Sequence, residues 1–111
     1  MSDRGGLAAE RCQACRGEVA PLLAKEAELL LRELDPAWEL EAQRLHRHFR
    51  LPGFNAPFGL AARIAMLAER EGHHPELHLG YGHLDVDLST HAANGLTRND
   101  FILAAKIDAL G

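Results

Sequence analysis

The stretch Glu76-Leu-His-Leu-Gly-Tyr81-Gly82-His83-Leu84-Asp85-Val86-Asp87-Leu88-Ser89 decides the fold of this 111-residue chain. Leu84, Val86 and Leu88 alternate with Asp85, Asp87 and Ser89, the two-residue period of a half-buried strand. Glu76 to Tyr81 reads as a second strand, with Gly82-His83 as the tight turn between the two. A hairpin about Gly82 returns the end of the later strand beside the start of the earlier one. Whatever follows Ser89 is thereby brought next to whatever precedes Glu76.

Upstream, Leu45 to Leu51 alternates apolar and basic residues, with Leu45, Arg47, Phe49 and Leu51 on one face and His46, His48 and Arg50 on the other. Trp38 to Leu45 reads as its strand partner, although Glu41-Ala-Gln-Arg44 holds no Gly, Pro or Asn to mark the turn. The first helix takes Pro21 in its opening turn and carries Leu22, Leu23, Ala27, Leu30, Leu31 and Leu34 at helical spacing. Asp35-Pro36 stops it. A second helix runs from Ala56 to Glu71, with Asn55 as N-cap and Gly72 as C-cap. Its expected packing stripe is Phe58, Ala61, Ala62, Ala65, Met66 and Ala68. After a loop from Ala92 to Gly95, Thr97-Arg-Asn-Asp100 resembles a capping box, and a closing helix runs from Arg98 to Leu110.

The order is α-β-β-α-β-β-α, which predicts an α+β domain: a four-stranded antiparallel sheet with three helices packed on one face. Residues 1–17, with three glycines and little periodicity, read as a flexible N-terminal lead-in to a single domain over 18–111. Four short strands leave two open edges, so a homo-oligomer, a dimer or a tetramer, is expected.

Composition narrows the function. A formal net charge of -4 argues against nucleic acid as the main partner. No apolar run approaches the roughly 18 residues that cross a bilayer, and Met-Ser-Asp-Arg-Gly-Gly does not open like a signal peptide. No membrane partner is expected, and the cytoplasm is the default location. Cys12 and Cys15 form a C-x-x-C pair without a second pair for a four-ligand zinc site and without a βαβ context for redox chemistry. Two reduced thiols in the lead-in is the plainer reading.

The chemistry lies at the ends of the hairpin. Glu69, His73, His74 and Pro75 precede it, while Thr90, His91 and Asp100 follow. Imidazole titrates nearest neutral pH, so three such rings in one place can move protons without a metal or an organic cofactor. Glu69, one helical turn before His73, is placed to orient an imidazole. Asp100 either serves the site or only caps the last helix. A zinc ion on His73, His74 and His91 is the competing reading, but adjacent residues are poorly spaced to ligate one ion. His46, His48, His78 and His83 read as solvated strand-face residues.

Glu69-x-x-x-His73-His74-Pro75, five residues, Tyr81, nine residues, His91, eight residues, Asp100 resembles the signature of the pterin-4a-carbinolamine dehydratases. Phe58-Gly59, Leu88-Ser89-Thr90-His91, Gly95-Leu96-Thr97 and Asn99-Asp100-Phe101 agree with it, over roughly Leu22 to Leu110. Cys12-x-x-Cys15 and the Pro-Leu-Leu opening are similar to a bacterial and plant subgroup. The resemblance implies the fold already read, dimers joined through sheet edges, and no metal or cofactor. It implies dehydration of 4a-hydroxytetrahydropterin to quinonoid dihydropterin, with His73, His74 and His91 catalytic. Glu69, Pro75, Tyr81, Ser89, Thr90 and Asp100 would support the pterin substrate. Many relatives carry an aromatic residue two places after the Pro, where this chain has Leu77. The fold also serves as a non-catalytic binding or assembly module, in relatives that tend to have lost the histidine set.

Overall fold

Leu84, Val86 and Leu88 are completely buried, whereas Asp85 and Asp87 between them are only partly covered. This contrast sets the inside and the outside of the sheet. In a computed structural model of the chain, residues 6–14 and 19–110 are described; Cys15 and the expected 17/18 boundary lie outside them. The strands are β1 (Glu39–Glu41), β2 (Arg44–Arg50), β3 (Glu76–Gly80) and β4 (His83–Leu88). All neighbours pair antiparallel in the order β1-β2-β4-β3. The helices are α1 (Ala24–Leu31), α2 (Asn55–Glu71) and α3 (Arg98–Asp108). The α+β reading, with three helices and a four-stranded antiparallel sheet, is borne out.

The core joins Leu45 of β2 and Leu84, Val86 and Leu88 of β4 to Ile64 and Leu67 of α2, Leu30 of α1, and Phe101, Leu103 and Ile107 of α3. Burying each such side chain stabilises the fold by about 1.5–3 kcal/mol. Within the lead-in, Leu7–Ala9 forms one 3₁₀ turn whose Leu7 is buried in this same core. Lys106 Nζ of α3 donates to Ala8 O at 2.8 Å, and Arg98 pairs with Glu10 at 2.6 Å.

Local details differ from the sequence reading for identifiable reasons. The first hairpin turns at Ala42-Gln43, since Glu41 pairs with Arg44, and Ala42 takes a left-handed φ of 48°. An alanine there is strained, so no residue of turn-forming type marked the place. The second hairpin turns at Tyr81-Gly82 rather than Gly82-His83, with the positive φ of 84° at Gly82. Gly82 N donates to Gly53 O at 2.7 Å, tying the hairpin tip to the β2–α2 connection. α1 begins after Leu23, not at Pro21, because Leu22 N is already bonded to Leu96 O at 2.8 Å.

On α2 the buried residues are Pro57, Ile64, Leu67 and Ala68. Phe58 and Met66, expected in the packing stripe, are 56% and 65% exposed. The alanines lie all round the helix and gave no phase; Ile64 and Leu67 set it.

Asp108 closes the end of the molecule away from the histidine motif. It accepts from Trp38 Nε1 at 2.8 Å, Arg47 Nη1 at 2.7 Å and Asp35 N at 3.0 Å. Asp108→Ala would strand a mostly buried guanidinium and an indole N–H. It is expected to destabilise the protein by about 2–3 kcal/mol, read from the urea midpoint at constant slope.

Candidate active site

Gly72 ends α2 in the left-handed conformation, φ 68°, and its N–H bonds back to Ala68 O at 2.9 Å. The chain thus leaves the helix sharply, and His73-His74-Pro75 crosses to β3. At the other end of the hairpin, β4 is followed by Ser89 and Thr90 and then by a 3₁₀ turn, His91–Ala93. Thr90 and Gly95 bond to each other, N to O, at 2.8 and 3.3 Å, and Asn94 takes φ 52°. These bonds pinch the loop so that His91 stands at its start. Glu76 pairs with Asp87, which sets the two loops side by side as the hairpin geometry required.

The result is a single cavity of about 280 Å³ lined by His73, His74, Ser89, Thr90 and His91, together with Gly72, Ala92, Gln13 and Asn99. A larger hollow of about 630 Å³ lies between β2, α2 and α3, but its polar lining is guanidinium, carboxylate and amide, without an imidazole.

Adjacent residues of an extended segment point to opposite sides, and the two histidines make different bonds accordingly. His73 turns inward: its side chain is 11% exposed, and Nε2 donates to Oδ1 of the fully buried Asp100 at 2.6 Å. His74 turns outward, and its Nε2 donates to Glu69 Oε1 at 2.6 Å in an exposed pair. A carboxylate oxygen is the acceptor in such a pair and the ring N–H the donor. Glu69 therefore orients His74 from the last turn of α2.

Asp100 combines the two roles left open by the sequence. Its Oδ2 accepts from Thr97 N at 2.9 Å, which caps α3, and from Thr90 Oγ1 at 2.8 Å. Its Oδ1 holds His73. Pro75 is half-buried at the start of β3 and does not line the cavity. Tyr81 is not brought to it either: this residue is 79% exposed at the hairpin tip, a strand's length of about 16 Å away. Leu77 packs against the core, so this departure from the family pattern falls outside the cavity.

Sequence reading missed Gln13 and Asn99. They clamp each other: Gln13 N donates to Asn99 Oδ1 at 2.8 Å, and Asn99 Nδ2 donates to Gln13 O at 2.7 Å. Beside them Cys12 N donates to Glu71 Oε1 at 2.9 Å and Cys12 Sγ to Asn99 O at 3.6 Å. Only the Asn99-Asp100 pairing hinted at this, because amides at two chain positions carry no spacing signal.

An α+β domain with imidazoles gathered at the mouth of a β-hairpin and braced by carboxylates sets groups that can exchange protons around one cavity. A family profile described as "Pterin 4 alpha carbinolamine dehydratase" matches residues 20–110. A Methylococcus capsulatus protein provisionally named pterin-4-alpha-carbinolamine dehydratase is 44% identical over 110 residues, covering 97% of this chain and 96% of its own. A Rickettsia bellii protein with the same provisional name is 45% identical over 105 residues, covering 94% and 93%. The crystal structure of a transcriptional coactivator/pterin dehydratase from Brucella melitensis superposes with a TM-score of 0.76 at 36% identity, covering 81% of this chain and 97% of that one. A pterin dehydratase-like RuBisCO assembly factor of the alpha-carboxysome shares the fold at 20% identity, with a TM-score of 0.54 over 66% of this chain and 84% of its own. The chain belongs to the pterin-4-alpha-carbinolamine dehydratase family, a family of hydro-lyases.

Burial pushes the Cys12 thiol up to about 12, with the Glu71 carboxylate adding to the effect. In a Cys15→Ser variant, Cys12 is expected to react with a disulfide reagent at pH 8 about tenfold or more slowly than free cysteine, measured by thionitrobenzoate release.

Proposed function

We propose that this chain removes water from a 4a-hydroxytetrahydropterin to give quinonoid dihydropterin, and so recycles tetrahydropterin. One observation carries the reading: His73, His74 and His91, from two separate loops, line one cavity. Its volume of about 280 Å³ is near the lower end for small-molecule sites, which suits a bicyclic heterocycle.

The 4a-hydroxyl is a poor leaving group until it is protonated. As the C4a–O bond breaks, a ring nitrogen donates its electron pair to form the C=N bond and gives up its own proton. One protonated and one neutral imidazole facing the ring supply both halves, each contributing about 10²–10⁴-fold. His74 and His91 are the exposed pair. His73, held by Asp100 and largely covered, forms the wall against which the substrate lies. Glu69 fixes His74, and Asp100 fixes His73; Ser89 and Thr90 offer hydroxyls beside them. The reaction so written consumes no cofactor.

His74→Ala and His91→Ala are each expected to slow dehydration of synthetic 4a-hydroxytetrahydropterin roughly tenfold or more, followed by ultraviolet absorbance, with the thermal midpoint unchanged. Unchanged turnover in both variants would defeat the assignment. The assembly-module reading is not favoured: the neighbour that carries it shares only the fold, while here the three histidines stand together.

The working form is proposed to be a homo-oligomer in the cytoplasm. β3 is an edge strand with Leu79 38% exposed, and Phe58 and Met66 of α2, with Phe54 just before it, face solvent. Both surfaces fit a second copy of the chain. Among the described residues no helix is long and apolar enough to cross a membrane. Light scattering in line with gel filtration is expected to give twice the chain mass or more; a monomer at micromolar concentration rejects the oligomer.

A further inference from the structure

The face of the sheet turned away from the helices carries its own imidazoles, unrelated to the cavity. His48 and Asp85 sit directly opposite each other on β2 and β4, and His46 and Asp87 form the next such pair. His83 lies two residues before Asp85 and on the same face. His48 Nδ1 donates to Asp85 Oδ1 at 2.7 Å, and His83 Nδ1 donates to Asp85 Oδ2 at 3.0 Å. The two rings stack, 5.8 Å between centroids and 17° between planes. One carboxylate is thus shared by two parallel imidazoles, each presenting the same nitrogen.

We propose that His48, His83 and Asp85 form a binding site for a divalent ion of the zinc type. One ligand atom from each lies within 4.8 Å of the others, and no ion is present. Ligands about 2.0–2.1 Å from a tetrahedral zinc sit roughly 3.4 Å apart, so small side-chain rotations close the set. Imidazole nitrogen with a single carboxylate suits zinc, nickel or copper rather than magnesium, which requires about six oxygens. The ion replaces the two ring protons now directed at Asp85; these leave to water or move to Nε2. Water fills the open positions.

Two features around the trio support a ligand site over an incidental charge cluster. Gly80, the cross-strand partner of His83, is where a Cβ would collide with the His83 ring. The absence of a side chain there lets the ring lie across β3 with Nδ1 toward Asp85. Around it, His46 Nε2 lies 3.5 Å from Asp85 Oδ1 while His46 Nδ1 bonds Asp87 at 2.8 Å. His46 thus borders the trio, held in place by its own carboxylate, Asp87. Asp87 also meets Arg44 at 3.4 Å and His78 at 3.9 Å.

Isothermal titration of chelator-treated full-length protein with zinc chloride is expected to show about one equivalent bound, and magnesium chloride no heat. His48→Ala, His83→Ala and Asp85→Asn should each weaken zinc binding about tenfold or more, as should Gly80→Ala, while His91→Ala leaves it unchanged. Imidazole nitrogen–proton spectra of the wild type keep the test decisive should a variant fail to fold: the His48 and His83 resonances should shift on zinc addition. Absence of binding, equal binding of magnesium, or shifts confined to His73, His74 and His91 would overturn the site.

Discussion

The histidine-lined cavity is built around a carboxylate that solvent never reaches. Asp100 is completely buried, and a buried carboxylate without partners would cost several kcal/mol. It is satisfied by Thr97 N–H, the Thr90 hydroxyl and the His73 ring, each such charge-assisted bond contributing about 1.5–3 kcal/mol. Those donors come from the first turn of α3, the residues after β4 and the loop after α2. The loop after α2 is thereby held to the segment that joins β4 to α3, and His73 cannot leave the cavity wall without depriving the buried Asp100 of a partner. The Thr90 hydroxyl also meets that of Thr97 at 2.9 Å, so the network beneath the cavity is continuous.

Much of this was legible in the chain. The alternation from Leu84 to Ser89 and the glycine at 82 determine the hairpin, and the hairpin alone predicts that His91 returns beside His73 and His74. Helix termini marked by Asp35-Pro36, Asn55, Gly72 and Thr97 carried the rest of the order. What escaped left no mark in the local residue types. Alanine at 42 carries no turn propensity, and only the pairing of β1 with β2 drives it to a positive φ. Alanines on every side of α2 hid its phase. Tyr81 entered through a family pattern, and strand length alone puts it beyond reach of the cavity in its own chain.

The sheet separates two populations of imidazole. Those of the cavity lie at the carboxyl end of β4, where backbone leaves the ladder and side chains can converge. Those of the outer face stand on the ladder itself, and their partners are dictated by register: His46 with Asp87, His48 with Asp85. A one-residue slip would bury these charges and expose Leu45 and Val86. The outer pairs therefore help to specify the register that delivers His91 to the cavity. The burial that raises the Asp85 carboxyl is outweighed by its bonds to His48 and His83, which hold it below the usual range.

Gln13 lines the cavity yet lies outside the residues that the family profile matches. Its backbone is fixed by Asn99, the immediate neighbour of Asp100, and the preceding Cys12 is tied to Glu71 near the end of α2. Burial and the bond from the Cys12 N–H act oppositely on Glu71, and the bond prevails, holding that carboxyl below its usual value. The anchors of this wall thus adjoin the supports of the cavity's imidazoles without sharing an atom with them. A change at the Gln13 side chain alters the rim of the cavity, while the Asp100 network behind His73 stays whole. The rim at Gln13 and the support of His73 are thus held by separate pieces of the chain, Asn99 for the one and Asp100 for the other.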